Sequence, residues 1–210
     1  MAELVKFEVI NDQNTIPHHI FKVIVIGEAS VGKSCIMIRA IKNEYSDDYK
    51  VTVGADSGTF MSKVNGSNLQ LQIWDTAGSE KFRSMIHVFF VGSEASLLVY
   101  DITRKQTFEA LDYWLKKLRD NVISNVLIIL VGNKKDQEDK REVTYKEGEM
   151  YAAKNDLFAF IETSAKTGEG VVEAFKKISK ALYLQQRKGK KPDKQGMELI
   201  ESTKTKGGCC

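Results

Sequence analysis

The chain contains few cysteines, few prolines and no long apolar run. Of its 210 residues, three are cysteine and two are proline. The cysteines, Cys35, Cys209 and Cys210, provide no disulfide framework. The longest apolar run, at residues 126–131, falls well short of the roughly 18 residues that a membrane-spanning helix needs. We therefore expect any association with a membrane to be peripheral.

The first 19 residues lack the pattern of a secretory signal. They hold no apolar run before a small-residue cleavage site, and they include four charged residues, Glu3, Lys6, Glu8 and Asp12. Because the sequence begins Met1-Ala2 and not Met-Gly, we also expect no N-myristoylation. We expect a protein that stays in the cytosol.

The net positive charge of the chain is confined to its C-terminal segment. The net charge is +3, and residues 187–206 alone carry seven positive and three negative side chains. The rest of the chain is therefore close to neutral, which argues against a nucleic-acid-binding body. A basic tail is instead typical of proteins that approach an acidic membrane surface.

Apolar segments typical of strands alternate with helical patterns, as a parallel βαβ architecture requires. Strands are predicted at 20–26, 69–74, 95–101, 126–132 and 158–162. Helices are predicted at 33–41, 106–120, 145–154 and 171–183. Asn65-Gly66 indicates a hairpin and hence one antiparallel pair. The pattern predicts one α/β domain at 20–184, between an extension at 1–19 and a flexible basic tail at 185–210. Its sheet should have six mostly parallel strands, with one antiparallel edge strand and helices on both faces.

The strongest chemical signal follows the first predicted strand. Residues 27–34 fit the G-x-x-x-x-G-K-[ST] phosphate loop, between a strand and a helix. This context predicts a P-loop NTPase fold, in which backbone N–H groups and the helix N-terminus hold phosphate. Lys33 should neutralise the β and γ phosphates, and the Ser34 hydroxyl should bind Mg²⁺. The predicted nucleotide contacts here are Glu28, Ala29, Ser30, Val31, Gly32, Lys33, Ser34 and Cys35.

Two further loops indicate which base is bound. Asn133, Lys134 and Asp136 follow a predicted strand, and the Asp136 carboxylate can accept from both N1–H and the amine of guanine. Adenine offers no such donors at that edge, so it would leave a carboxylate unpaired. In the second loop the Ala165 N–H can reach guanine O6, the Lys166 stem can cover the ring, and Ser164 completes the site. Tyr45 could stack from another side.

The remaining candidate residues concern Mg²⁺ and the γ-phosphate. Asp75 ends a strand and provides a carboxylate for the metal, and Thr52 offers a second hydroxyl beside that of Ser34. Gly78 lets its backbone N–H approach a γ-phosphate. Two loops tethered to one phosphate make a switch, because hydrolysis removes the contacts that order them.

With these elements in order, the chain resembles a Ras-superfamily small GTPase and, within it, the Rab family of membrane-traffic regulators. The Rab-like segments are residues 70–78, 81–85, 98–103 and the terminal Cys209-Cys210. The resemblance implies a monomer that binds GTP or GDP with Mg²⁺ and does not bind nucleic acid. It also implies that the switch loops bind effectors, an exchange factor, an activating protein and a dissociation inhibitor.

The resemblance further implies where the protein resides. Cys209 and Cys210 should both be geranylgeranylated, because the usual C-a-a-X signal would need cysteine where the chain has Gly207. Two lipids and a basic tail would attach the protein to the cytosolic face of an endomembrane, with a soluble pool in the cytosol.

The chain departs from the Rab pattern at three places. Ser57 stands where Rabs usually have phenylalanine, and residues 89–92 read Phe-Phe-Val-Gly in place of Tyr-Tyr-Arg-Gly. Ser79 stands where most relatives have the glutamine that positions the attacking water. The candidate catalytic residues are thus Lys33, Thr52, Gly78 and, at the glutamine position, Ser79.

These departures leave two functional alternatives open. One is a GTPase that hydrolyses and resets, and the other is a slow or non-hydrolysing GTP-binding module that recruits effectors. A P-loop kinase or ATPase has little support, because Asp136 and Ala165 favour guanine and no site for an acceptor substrate is evident.

Overall fold

A computed structural model of the chain describes residues 5–12, 14–47, 52, 54–76, 87–122 and 126–189. Seven strands form one sheet in the order β1-β3-β4-β2-β5-β6-β7. They are β1 (Phe7–Val9), β2 (His19–Ile26), β3 (Ala55–Val64), β4 (Ser67–Thr76), β5 (Ala95–Asp101), β6 (Leu127–Asn133) and β7 (Ala159–Glu162). The five strands β4, β2, β5, β6 and β7 run parallel, so their carboxyl ends meet at one edge of the sheet.

The predicted α/β P-loop fold is confirmed, but the sheet has seven strands among the described residues, not six. The additional strand, β1, lies in the N-terminal extension and pairs antiparallel with β3, with Phe7 opposite Val64. The antiparallel edge therefore holds two strands, because β3 also runs antiparallel to β4. A three-residue strand is too short to produce a recognisable alternation in the sequence.

Six helices and one 3₁₀ helix complete the described fold. The helices are α1 (Lys33–Lys42), α2 (His87–Phe90), α3 (Lys105–Glu109), α4 (Leu111–Asn121), α5 (Tyr145–Lys154) and α6 (Val171–Gly189), and the 3₁₀ helix is Lys135–Lys140. The single helix predicted at 106–120 is two helices that meet at Ala110, where the Trp114 N–H to Ala110 C=O bond lengthens to 3.4 Å. Helix α6 extends past its predicted end at residue 183. Within the described residues no helix could cross a membrane.

Helices cover both faces of the sheet, as predicted. One apolar cluster joins the sheet to α1 and α6, through residues such as Ile36 and Phe175. The other joins it to α4, through Trp114 and Leu118. Strand β5 is buried along its whole length, as expected for a central strand covered on both faces. This packing fixes the strand ends from which the candidate site is built.

Candidate functional site

The phosphate loop, residues 27–34, lies between the end of β2 and the start of α1. Its conformation depends on glycine at two positions. A Cβ on Gly27 would lie 2.1 Å from the Val99 carbonyl oxygen, and one on Gly32 would lie 2.3 Å from Asn133 Nδ2. Both glycines also have positive φ, at 143° and 94°. The loop is therefore packed closely against the ends of β5 and β6.

Helix α1 begins directly after this loop, and its N-terminus suits an anion. The N-cap residue, Gly32, supplies no side-chain cap, and the first turn contains no acidic residue. The first N–H groups of a helix lack intrahelical partners and carry partial positive charge, which favours phosphate. The structure thus brings together a loop whose conformation requires glycine and a helix N-terminus without a side-chain cap.

Lys33 supplies a full positive charge inside this loop. Its side chain is buried, and Nζ donates to the carbonyl oxygens of Gly27 at 2.9 Å and Glu28 at 2.8 Å. Burial lowers the pKa of Lys33 to about 8, although Asp75 and Glu28 favour its charged form. The arrangement holds the ammonium over the loop, where it can neutralise a phosphate.

Three oxygen-bearing side chains converge beside Lys33. Ser34 donates to Asp75 Oδ2, and the hydroxyls of Ser34 and Thr52 lie 2.9 Å apart. Thr52 Oγ1 lies 3.4 Å from the same carboxylate oxygen. Burial raises the pKa of Asp75, opposed by the Ser34 hydrogen bond and by the Lys33 charge. The predicted metal ligands Ser34, Thr52 and Asp75 are therefore brought together.

The oxygen cluster fits a magnesium ion. Asp75 Oδ1 is buried and has no hydrogen-bond partner in the described part of the chain. A buried carboxylate oxygen without a partner is costly, and a hard divalent cation would satisfy it. Hydroxyl and carboxylate oxygens are also the ligands that Mg²⁺ prefers.

Asn133 connects the phosphate loop to the base side of the site, which comprises residues 133–136 and 164–166. Its Nδ2 donates to the Val31 carbonyl at 2.8 Å. Its Oδ1 accepts from Thr163 Oγ1 at 3.1 Å and from the Ala165 N–H at 3.2 Å. One buried side chain thus joins three loops. The contact of the Ala165 N–H with guanine O6 stays a prediction.

The Asp136 carboxylate is also held in place by another side chain of the site. Ser164 Oγ donates to Asp136 Oδ1 at 2.6 Å and accepts from the Thr167 N–H at 3.0 Å. The loop that carries Ser164 is fixed from outside by Arg39 on α1, which donates to the carbonyls of Ala165 at 2.8 Å and Lys166 at 2.6 Å. Sequence reasoning did not identify Arg39, because no local pattern marks an arginine that binds carbonyls more than a hundred residues away.

Lys134 points away from the base loop toward the end of β5. Its Nζ forms an ion pair with Asp101 Oδ2 at 2.6 Å. Arg104 contacts the same oxygen through Nε at 3.0 Å, and its Nη2 donates to the Ala29 carbonyl in the phosphate loop at 3.0 Å. Asp101 and Arg104 were missed as site residues, since they belong to no phosphate or base motif.

Other predicted contacts surround the site more loosely. Tyr45 donates to Asp47 at 2.8 Å, and burial together with this bond raises the pKa of Tyr45 to about 12. Cys35 packs partly against the core, and burial raises the pKa of its thiol. Glu28 accepts from the Trp114 indole N–H at 2.9 Å, which ties the phosphate loop to α4.

Several predictions concern residues that the structure does not describe. Gly78, Ser79, Cys209 and Cys210 all lie outside the described residues. Two of the residues at which the chain departs from the family pattern, Ser57 and Phe89, do lie among the described residues. Ser57 pairs with Trp74 across β3 and β4, and the rings of Trp74 and Phe89 lie 5.6 Å apart.

Most of the chain is similar in sequence to known proteins. The model of the Ras family matches residues 22–184. The Ras-related protein Rab-4B from Rattus norvegicus, from Homo sapiens and from Mus musculus is 44% identical to this chain over 163 residues. Each alignment covers 78% of this chain and 76% of the relative.

Proposed function

This chain belongs to the Ras family of small GTPases and to its Rab branch, and we propose on that basis that it is a membrane-traffic switch. In this proposal it binds GTP or GDP with Mg²⁺, and it hydrolyses GTP slowly or with the help of an activating protein. The observation that carries the proposal is the convergence of Ser34, Thr52 and Asp75 beside the buried Lys33. That cluster lies where a phosphate loop and a helix N-terminus meet.

The residues of the phosphate side divide the work of binding a triphosphate. Lys33 would neutralise phosphate charge, and the N–H groups at the start of α1 would donate to phosphate oxygens. Ser34, Thr52 and Asp75 would hold Mg²⁺, directly or through water. The ion held by these residues would supply positive charge that offsets the charge of the phosphates. Because Thr52 comes from a different loop than Ser34, loss of the γ-phosphate would weaken its attachment.

The base side favours guanine. Asp136 would accept from N1–H and the exocyclic amine, while Ser164 keeps the carboxylate in place. Asn133 holds the loops together and Lys166, which is exposed, would cover the ring with its stem. Adenine would offer this carboxylate no donor from the base, so we expect strong discrimination against ATP.

Hydrolysis depends on the loop that contains Ser79. A glutamine side chain can accept from the attacking water and donate toward the transition state, whereas serine is too short to do both. We therefore expect slow intrinsic hydrolysis, with an activating protein supplying the missing groups. The alternative, a module that stays in the GTP form, follows from the same substitution.

Single-turnover hydrolysis tests this assignment. Wild type and Ser79→Gln, loaded equally with GTP and Mg²⁺, should differ by about tenfold in rate, with the glutamine variant faster. The nucleotide found in the purified protein should be partly GTP. Equal rates in the two proteins would show that position 79 does not limit hydrolysis. Absence of turnover even with an activating protein would favour the non-hydrolysing module.

Attachment to an endomembrane would come from the C-terminus. Cys209 and Cys210 would carry two geranylgeranyl groups, and the basic residues before them would add about 1 kcal/mol each near an anionic surface. Effectors, exchange factor, activating protein and dissociation inhibitor would bind through the switch loops. Intact mass of protein made in eukaryotic cells should exceed the sequence mass by two prenyl groups, and a mass without them would contradict this part of the proposal.

A further inference from the structure

Asp101, the last residue of β5, places a buried carboxylate between the phosphate loop and the base loop, residues 133–136. Its side chain is fully buried, and both oxygens have partners. Oδ1 accepts from the Thr103 N–H at 2.9 Å and from Thr103 Oγ1 at 2.7 Å. Oδ2 pairs with Lys134 Nζ at 2.6 Å and with Arg104 Nε at 3.0 Å. Four donors therefore meet at one carboxylate.

The two oxygens have different structural roles. The contacts of Oδ1 are local, because an aspartate commonly accepts from the residue two positions later in a turn. A turn at the end of β5 would fully account for the hydrogen bonds of Oδ1. It does not account for the contacts of Oδ2, whose partners belong to other parts of the site.

The partners of Oδ2 lead in two directions. Lys134 is part of the base loop and has a left-handed backbone conformation, with φ of 70°. Arg104 reaches the phosphate loop, where its Nη2 donates to the Ala29 carbonyl at 3.0 Å. A single carboxylate oxygen is thus the shared partner of a cation from the base side and of a cation that contacts the phosphate side.

We propose that Asp101 is a positioning residue that couples the base loop to the phosphate loop and thereby slows the release of bound nucleotide. The inference rests on the proposed function, because it concerns a guanine nucleotide that spans both loops. A nucleotide can leave only when its contacts at both ends are broken. Loops held to a common charge separate less often than independent loops.

The charge of Asp101 is maintained despite its burial. Burial alone would raise the pKa of this carboxyl, but the hydrogen bonds from Lys134 and Thr103 outweigh it and the pKa is lowered. Lys134 and Arg104 are only partly buried, with 29% and 43% of their side chains exposed, so each cation can turn to solvent and lose its position when the carboxylate is neutralised.

The experiment measures release of labelled GDP into excess unlabelled GTP at constant Mg²⁺. Asp101→Asn keeps the size of the side chain but removes its charge, and it should accelerate release by about tenfold or more. Thr103→Val is the matched control, because it removes a hydrogen bond to Oδ1 and leaves Oδ2 unchanged. We expect it to change release by less than about threefold.

A double-mutant cycle with Arg104→Gln separates positioning from a general loss of stability. Arg104→Gln alone should accelerate release by about threefold, and the double variant should release GDP hardly faster than Asp101→Asn. Two effects that multiply would overturn the inference. A folded Asp101→Asn protein that releases GDP at the wild-type rate would also overturn it. If Asp101→Asn does not fold, the partly exposed Arg104 decides the question, and wild-type release from Arg104→Gln would overturn the inference.

The same assay distinguishes this inference from the proposed function. Wild-type protein that binds no guanine nucleotide would contradict the proposed function itself. Wild-type protein that binds GDP, together with variants that release it at the wild-type rate, would contradict only the role of Asp101.

Discussion

The two halves of the candidate site are organised in different ways. On the base side, polar groups are bonded to one another: Asn133 joins Val31, Thr163 and Ala165, and Ser164 holds Asp136. On the phosphate side, the hydroxyls of Ser34 and Thr52 lie against the carboxylate of Asp75. One of its oxygens, Asp75 Oδ1, is buried and unbonded within the described residues.

This contrast indicates which half selects the ligand and which half responds to it. A network of hydrogen bonds within the protein keeps its shape without a ligand, so the base side is suited to recognition of the ligand. A gathering of oxygens around a buried carboxylate is stabilised by a cation. We therefore expect substitutions on the base side to alter nucleotide identity and those on the phosphate side to alter dependence on Mg²⁺.

The largest expected effect comes from changing the acceptor on the base side. Asp136→Asn should lower affinity for GDP by about 10⁴-fold, because the site loses the carboxylate that accepts two donors. It should also raise affinity for xanthosine diphosphate, whose carbonyl can accept from the new amide. Competition against labelled nucleotide measures both changes.

Asp139→Asn provides the control for this substitution. Asp139 is an exposed carboxylate in the same 3₁₀ helix, and its replacement should leave both affinities within about threefold of wild type. If Asp136→Asn retained its preference for guanine, the assignment of the base side would be wrong.

The second expected effect concerns the metal cluster. Chelation of Mg²⁺ should accelerate GDP release from wild type by about 10–100-fold, and Asp75→Asn should remove most of that dependence. Asp56→Asn is the control, because Asp56 lies opposite Asp75 on β3 and contributes charge without belonging to the oxygen cluster. An Asp75→Asn protein that still responds to chelation as wild type does would separate Asp75 from the metal.

The smallest expected effect tests the link between the phosphate loop and α4. Trp114→Phe removes the indole N–H that donates to Glu28 but keeps an aromatic ring in the core. It should lower the free energy of unfolding by about 1–3 kcal/mol and change GDP release by less than about fivefold. Denaturant unfolding measures the first quantity. An effect on GDP release larger than that of Asp75→Asn would contradict the minor role of this link in nucleotide binding.

The sequence predicted those parts of the molecule that depend on local patterns. Strand β5 and helix α5 have the predicted bounds. Strand β5 is a buried apolar run, and the structure shows that a capping box of Thr144 with Glu147 begins α5. Loops 27–34 and 133–136 were predicted as the phosphate and base loops because phosphate and base binding require particular residues at fixed spacing. Ser34, Thr52 and Asp75 were assigned to one metal, and the structure places them together.

The features that the sequence did not predict depend on contacts between distant residues. Strand β1 has only three residues and is defined by its partner β3. Arg39 serves the site by binding carbonyls of the loop at Ala165 and Lys166. Asp101 resembles any polar residue at a strand end until the fold brings Lys134 and Arg104 to its side chain. No spacing rule connects such residues.

The proposed preference of this site for guanine over adenine nucleotides is the property on which the other assignments depend. The most direct measurement is a competition titration of wild-type protein with Mg²⁺, in which GTP, GDP and ATP each displace labelled GDP. We predict that GTP and GDP compete at similar concentrations, while ATP requires a concentration at least about 10³-fold higher, because adenine offers Asp136 neither of the two donors that guanine supplies. Displacement by ATP and GTP at comparable concentrations would contradict guanine recognition by this site.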